Sequence, residues 1–197
     1  HIYLLAEDVN GEKETDYAGL KEITADDIGA AGPTAKENLV YNGSEQELVE
    51  APKSSNYQYS LTGADNSFNT TIPKGKNADT YTVYYKETAE AEAKNLTVTI
   101  AKKEVTVDGI TVKDKAYDGT TDAVLDDTNA TYKNGDADAL ASGDTLTVTA
   151  TGAFADADAG DGKSVTISDI TLGGASAENY TLAASGNQTS ATGKITK

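Results

Sequence analysis

The chain has 197 residues, with 16 basic against 32 acidic side chains and a formal net charge of −16, so nucleic acid and anionic membranes are repelled rather than bound. It has no Cys, and its single His is His1, which removes disulfides, thiolate metal sites and imidazole catalysis. No apolar run approaches the roughly 20 residues of a membrane helix, and Thr, Val, Tyr, Gly, Asn and Asp give a strand-and-turn composition.

Residues 1–33 hold 8 acids against Lys13 and Lys21 and read as a solvated acidic segment, the end of a preceding domain. Within it residues 2–6 suit a short strand, and Thr24 suits a helix N-cap with Asp27 at the third helical position. After Gly32-Pro33, residues 39–41 read as a strand and Asn42-Gly43 as a hairpin turn, with residues 47–49 returning. Tyr57, Tyr59 and Leu61 alternate with polar residues, Pro73 marks a strand end, and residues 80–86 and 96–100 alternate again. Residues 36–103 are nearly neutral, with 9 acids against 8 lysines.

No Gly/Ser-rich or Pro-rich spacer precedes the second half, which carries 15 acids against 6 lysines. Strands are expected at 105–112, 115–117, 122–124, 145–150, 164–167, 170–172, 180–183 and 191–196, a spacing typical of a β-sandwich. Two signatures recur across the halves. Tyr41-Asn42-Gly43-Ser44 returns as Tyr117-Asp118-Gly119-Thr120, and Asn77-Ala78-Asp79-Thr80-Tyr81 returns as Ser176-Ala177-Glu178-Asn179-Tyr180.

The late tyrosines Tyr81 and Tyr180 are similar to the tyrosine corner of immunoglobulin-type sandwiches, where the phenol bonds back to the backbone. Residues 104–197 resemble the YDG family through Lys115-Ala116-Tyr117-Asp118-Gly119-Thr120-Thr121, Gly143-Asp144, Phe154, Gly160, Gly162, Ile170-Thr171-Leu172 and Glu178-Asn179-Tyr180. Residues 34–103 resemble MBG-type modules through the Tyr41 and Tyr81 signatures and Leu96-Thr97-Val98-Thr99-Ile100. These resemblances imply an all-β chain of two tandem immunoglobulin-like sandwiches in an extended arrangement, with domains at 1–33, 34–103 and 104–197. They also imply a secreted or cell-surface bacterial protein in which monomeric modules contact their neighbours in the same chain. Tyr41, Asn42, Gly43, Tyr81, Tyr117, Asp118, Gly119 and Tyr180 are then structural residues, and no catalytic residue carries over.

Three constellations stand apart from that frame. Asp156, Asp158 and Asp161 alternate with small residues, as a calcium loop would, although the twelfth position from Asp156 is Ile167 and the flanks read as strand. Lys115 and Asn179, with Glu178 or Asp118 as the acid, are the pair to inspect for an intramolecular isopeptide bond, which needs a desolvated Lys. Tyr57, Tyr59, Tyr84 and Tyr85 offer ring faces to a glycan, although Tyr84 and Tyr85, being adjacent, point to opposite faces. The expected function is a non-catalytic stalk or spacer, with recognition of a host or dietary glycan or protein as the alternative. No cofactor is expected beyond calcium.

Overall fold

The computed structural model describes residues 32–52, 56–87 and 91–197. The strand and helix start expected before residue 31 lie outside the described residues. The first strands are β1 (Thr34–Ala35), β2 (Leu39–Val40), β3 (Gln46–Glu47), β4 (Val49–Glu50), β5 (Gln58–Ser60), β6 (Lys74–Gly75), β7 (Asp79–Lys86) and β8 (Lys94–Ala101). Then follow β9 (Lys103–Asp108), β10 (Thr111–Val112), β11 (Lys115–Ala116), β12 (Asp122–Ala123), β13 (Leu125–Asp126) and β14 (Thr131–Asn134). The last are β15 (Ala137–Asp138), β16 (Thr147–Phe154), β17 (Gly160–Gly173), β18 (Tyr180–Leu182) and β19 (Ser190–Thr196). Only short 3-10 turns interrupt them among the described residues, so the fold is all-β.

The chain forms two compact units that interleave in sequence. The first holds the described residues up to Glu37, with Gln46–Gly75 and Thr80–Val98. There β8, β7 and β5 lie side by side, β1 pairs antiparallel with β4, and β3 with β6. Leu48, Val49, Tyr59, Val83 and Val98 are buried. Lys86 is also buried, with its Nζ 4.4 Å from the centre of the Phe68 ring, a cation–π contact.

The second unit comprises Asn38–Glu45, Lys76–Asp79 and Thr99–Lys197. One sheet runs β11-β19-β17-β16-β12 and the other β15-β14-β9-β18. Their inward side chains meet in one core, where Val107 of β9 and Ile110 pack with Val148 of β16 and Ile167 of β17. Phe154, Val165 and Ile195 extend it under Val112, Ala123 and Leu125. Each buried aliphatic side chain of this kind contributes about 1.5–3 kcal/mol by leaving water. A parallel pair joins β11 to the last strand, β19, with Lys115 opposite Ile195 and Ala116 opposite Thr196. A second parallel pair joins β2 to the end of β8, with Leu39 opposite Ile100.

Several local expectations are corrected. Asn42-Gly43 does not close a hairpin: β2 pairs with β8, while β3 and β4 pair with β6 and β1. A hairpin instead forms at Gly135-Asp136, where β14 and β15 pair across a two-residue turn with Gly135 at φ 63°. The strand expected at 105–112 is broken after Asp108 by Gly109. The two expected at 164–167 and 170–172 merge into β17, with Gly160, Gly162 and Gly173 inside it rather than in connections. Leu61 falls beyond β5 and is exposed, so it does not continue the face that buries Tyr59.

Replacing Ile167 by Ala is expected to cost about 2–5 kcal/mol of unfolding free energy in urea. Replacing Val124, 58% exposed, by Ala should stay within about 0.5 kcal/mol. Equal losses at the two sites would place the stability outside this core.

Candidate functional site

The two copies of the tyrosine signature fold into the same turn. In each, the tyrosine follows a strand paired in parallel with a later one and donates its backbone N–H to it: Tyr41 to the Ala101 carbonyl at 2.9 Å and Tyr117 to the Thr196 carbonyl at 2.9 Å. The next side chain accepts from the backbone two residues on, Asn42 from Ser44 at 2.9 Å and Asp118 from Thr120 at 2.8 Å. That local bond is why Asn and Asp suit the position. The glycine between them has φ 80° at Gly43 and 79° at Gly119, a conformation other L-residues adopt at a cost.

Around Tyr41 this turn becomes part of a polar cluster within the second unit. Tyr41 is 2% exposed and donates its hydroxyl to Asp144 Oδ2 at 2.8 Å. Tyr180, also 2% exposed, donates to the same oxygen at 2.6 Å, and its own oxygen accepts the Ala141 N–H at 2.8 Å. The two rings meet edge to face with centroids 5.4 Å apart. A turn in which the Asp144 N–H reaches the Ala141 carbonyl presents both the carboxylate and the Ala141 amide to the phenols. Beside it Asn179 Oδ1 accepts the Ala78 N–H at 2.8 Å. The signatures of the two halves thus converge on one carboxylate.

The electrostatics follow from that sharing. Burial alone would raise the Asp144 carboxyl, but the bonds donated by Tyr180, Tyr41 and Ser176, with the Lys76 charge, outweigh it and hold the carboxyl below its usual range. Burial first, then the bond to Asp144 and its negative charge, pushes Tyr41 up to about 12. Tyr180 is likewise pushed up to about 12, by burial foremost; the Ala141 amide pulls the other way, and Asp144 and Tyr41 add to the rise. The native cluster is therefore one carboxylate and two neutral phenols.

The remaining sequence-derived candidates have other partners. Lys115 Nζ donates to the Thr120 and Asp122 carbonyls at 3.1 and 3.0 Å and pairs with Asp118 at 2.8 Å, which ties the 117–121 turn to its strand. Lys115 lies in the β11 sheet and Asn179 just before β18 in the other, each with separate partners, so the structure does not bring them together as an isopeptide pair. Glu178 is exposed in the turn before β18. Asp156 is paired with Lys163 and also accepts the Asp158 N–H, and Asp161 pairs with Lys194 at 2.7 Å. Lysines thus take up two of the three carboxylates proposed for calcium, and among the described residues no group of three or more His, Cys, Asp or Glu side chains could hold a metal ion. Tyr81 is half-buried on β7. Tyr57 and Tyr85 meet edge to face at 5.9 Å, on a cleft of about 320 Å³ that Glu87 and Lys94 also line. Asp144 and Ala141 are the functional residues that residue-by-residue reading left without a role. Gly143-Asp144 stood out as a motif, but its partners lie 103 and 36 residues away in the chain.

A YDG domain is found at residues 101–191, the stretch that supplies Asp144, Asn179 and Tyr180. No curated protein and no solved structure matches the chain.

Two measurements probe the geometry. The Tyr41 and Tyr180 phenols are raised, so the stability they carry is complete below the unfolded value near 10 and is lost as pH rises toward 12. Alkaline titration followed by phenolate absorbance should show Tyr41 and Tyr180 ionising latest among the tyrosines raised in the native protein, and Asp144→Ala should bring both to lower pH. Unchanged late ionisation in that variant would disprove the shared carboxylate. Separately, Asp118 is lowered to about 2, by the Lys115 bond first and then by the Thr120 amide and hydroxyl. Lys115→Gln should move the Asp118 carboxyl resonance upward in an NMR titration, and no movement would show that Thr120 alone suffices.

Proposed function

We propose that the chain is a non-catalytic stretch of a secreted or cell-surface bacterial protein, in which immunoglobulin-like modules stand in series as spacers of an adhesin-like assembly. In this reading an MBG-type module spans about 34–103 and a YDG module about 104–197. The observation that carries it is the use made of the signature residues. Asp144, Tyr180 and Asn179, all within the YDG domain, are spent on holding Tyr41 and Ala78, residues of the preceding signatures. Residues occupied in this way tie neighbouring repeats. The acidic surface adds solubility and discourages self-association, and the modules work as a monomeric string.

A second reading has an observation of its own. The Tyr57–Tyr85 pair with Glu87 and Lys94 combines ring faces with charged groups in one cleft, the kind of surface that takes a glycan or a peptide.

The fragment, with and without calcium, should bind no member of a panel of glycans and matrix proteins. Saturable binding abolished by Tyr57→Ala/Tyr85→Ala would overturn the spacer reading in favour of recognition. Binding that depends on calcium and vanishes with Asp156→Asn/Asp158→Asn would do the same through the 156–161 loop.

A further inference from the structure

The turns at Tyr41 and Tyr117 are the same in backbone, register and capping, yet they differ in one respect. Tyr41 is 2% exposed, and a Cβ placed on Gly43 would lie 2.5 Å from the Ala141 methyl, so the turn is covered closely. Tyr117 is 58% exposed, and a Cβ placed on Gly119 would meet nothing within 4 Å. The polypeptide that covers the first turn is the stretch beginning at Lys103, directly after the paired strand end Ile100-Ala101-Lys102. The second turn lies on the corresponding strand end, Ile195-Thr196-Lys197.

We propose that the exposed 117–121 turn is a docking face for a further module of the 103–197 type placed in series after Lys197, whose equivalents of Asp144, Tyr180 and Ala141 seat Tyr117 and Gly119. The proposal rests on the serial-module reading given above. Its occupant is specified by chemistry already in the molecule: a carboxylate to accept the Tyr117 hydroxyl, an aromatic edge against its ring, and a small side chain over Gly119. The charge at Asp118, absent from Asn42, does not bar an incoming carboxylate, because Lys115 pairs with Asp118 at 2.8 Å and neutralises it. Gly119 must stay bare for the same reason as Gly43: a side chain there would strain the turn and occupy the space of the incoming methyl.

The test extends the full chain with a second copy of residues 103–197 joined to Lys197, so that the junction repeats the Lys102-Lys103 register. The appended copy carries Tyr117→Phe, leaving one Tyr117 to follow. Tyrosine nitration with tetranitromethane is then read peptide by peptide by mass spectrometry. In the unextended chain Tyr117 should react fast and Tyr41 slowly. In the extended chain Tyr117 should slow to the rate of Tyr41, and Asp144→Ala in the appended copy alone should restore its reactivity. Fast Tyr117 nitration in the extended chain, with the Tyr180 peptides of both copies protected, would overturn the docking and leave the spacer reading standing. Partial nitration of the pooled Tyr180 peptides would also count against it, since the same residues fold when they follow the Tyr41 turn. Ligand binding in the screen above bears on the spacer reading, not on this face.

Discussion

One carboxylate oxygen, Asp144 Oδ2, accepts hydrogen bonds from two buried phenols whose residues lie far apart in the chain. A partly buried carboxylate is favoured when such donors replace lost water, and a bond to a charged group is worth about 1.5–3 kcal/mol against about 1 for a neutral pair. Removing any one partner would leave the others short of a hydrogen bond at a partly buried site. The cluster is therefore stable as a whole and costly in part, and this fixes residues 38–45 and 76–79 into the unit built mainly by residues 99–197. The boundary between compact units consequently does not fall where the sequence repeat changes.

Around that cluster the fold uses ordinary means. Alternating Val, Ile and Tyr positions on short strands fill a core between two sheets, and the charged residues stand outside it, paired with lysines where loops need closing. The second unit can thus carry a large excess of acid without placing an unpaired charge in its core. The Lys115 contacts show the same economy, since one ammonium group joins two carbonyls, a hydroxyl and a carboxylate and so sets the shape of the turn it flanks.

Much of this was readable from residues alone, and the failures have physical causes. Strand periodicity located β7, β8, β16 and β19 because each has one face in a core, which writes a period of two into the chain. The all-β class and the YDG stretch followed from the same pattern and its motifs. The hairpin at Asn42-Gly43 was misread because a dipeptide reports only that positive φ is available, and the turn there is capped by Asn42 while its strand finds a partner near Ala101. Polar residues around Gly135-Asp136 hid the hairpin that does form, since half-exposed strands carry little apolar signal. The convergence on Asp144 was out of reach for another reason: each motif was visible, but nothing local states which distant motif it meets.

Two parallel pairings, β2 with the end of β8 and β11 with β19, have a mechanical meaning. Tension applied through the chain ends pulls two parallel partners in opposite directions along their own axes. Their hydrogen bonds are then loaded together in shear, whereas an antiparallel hairpin held at its open end would peel one bond at a time. Each of the two pairings would resist stretching in this way, and the Asp144 cluster lies beside the first.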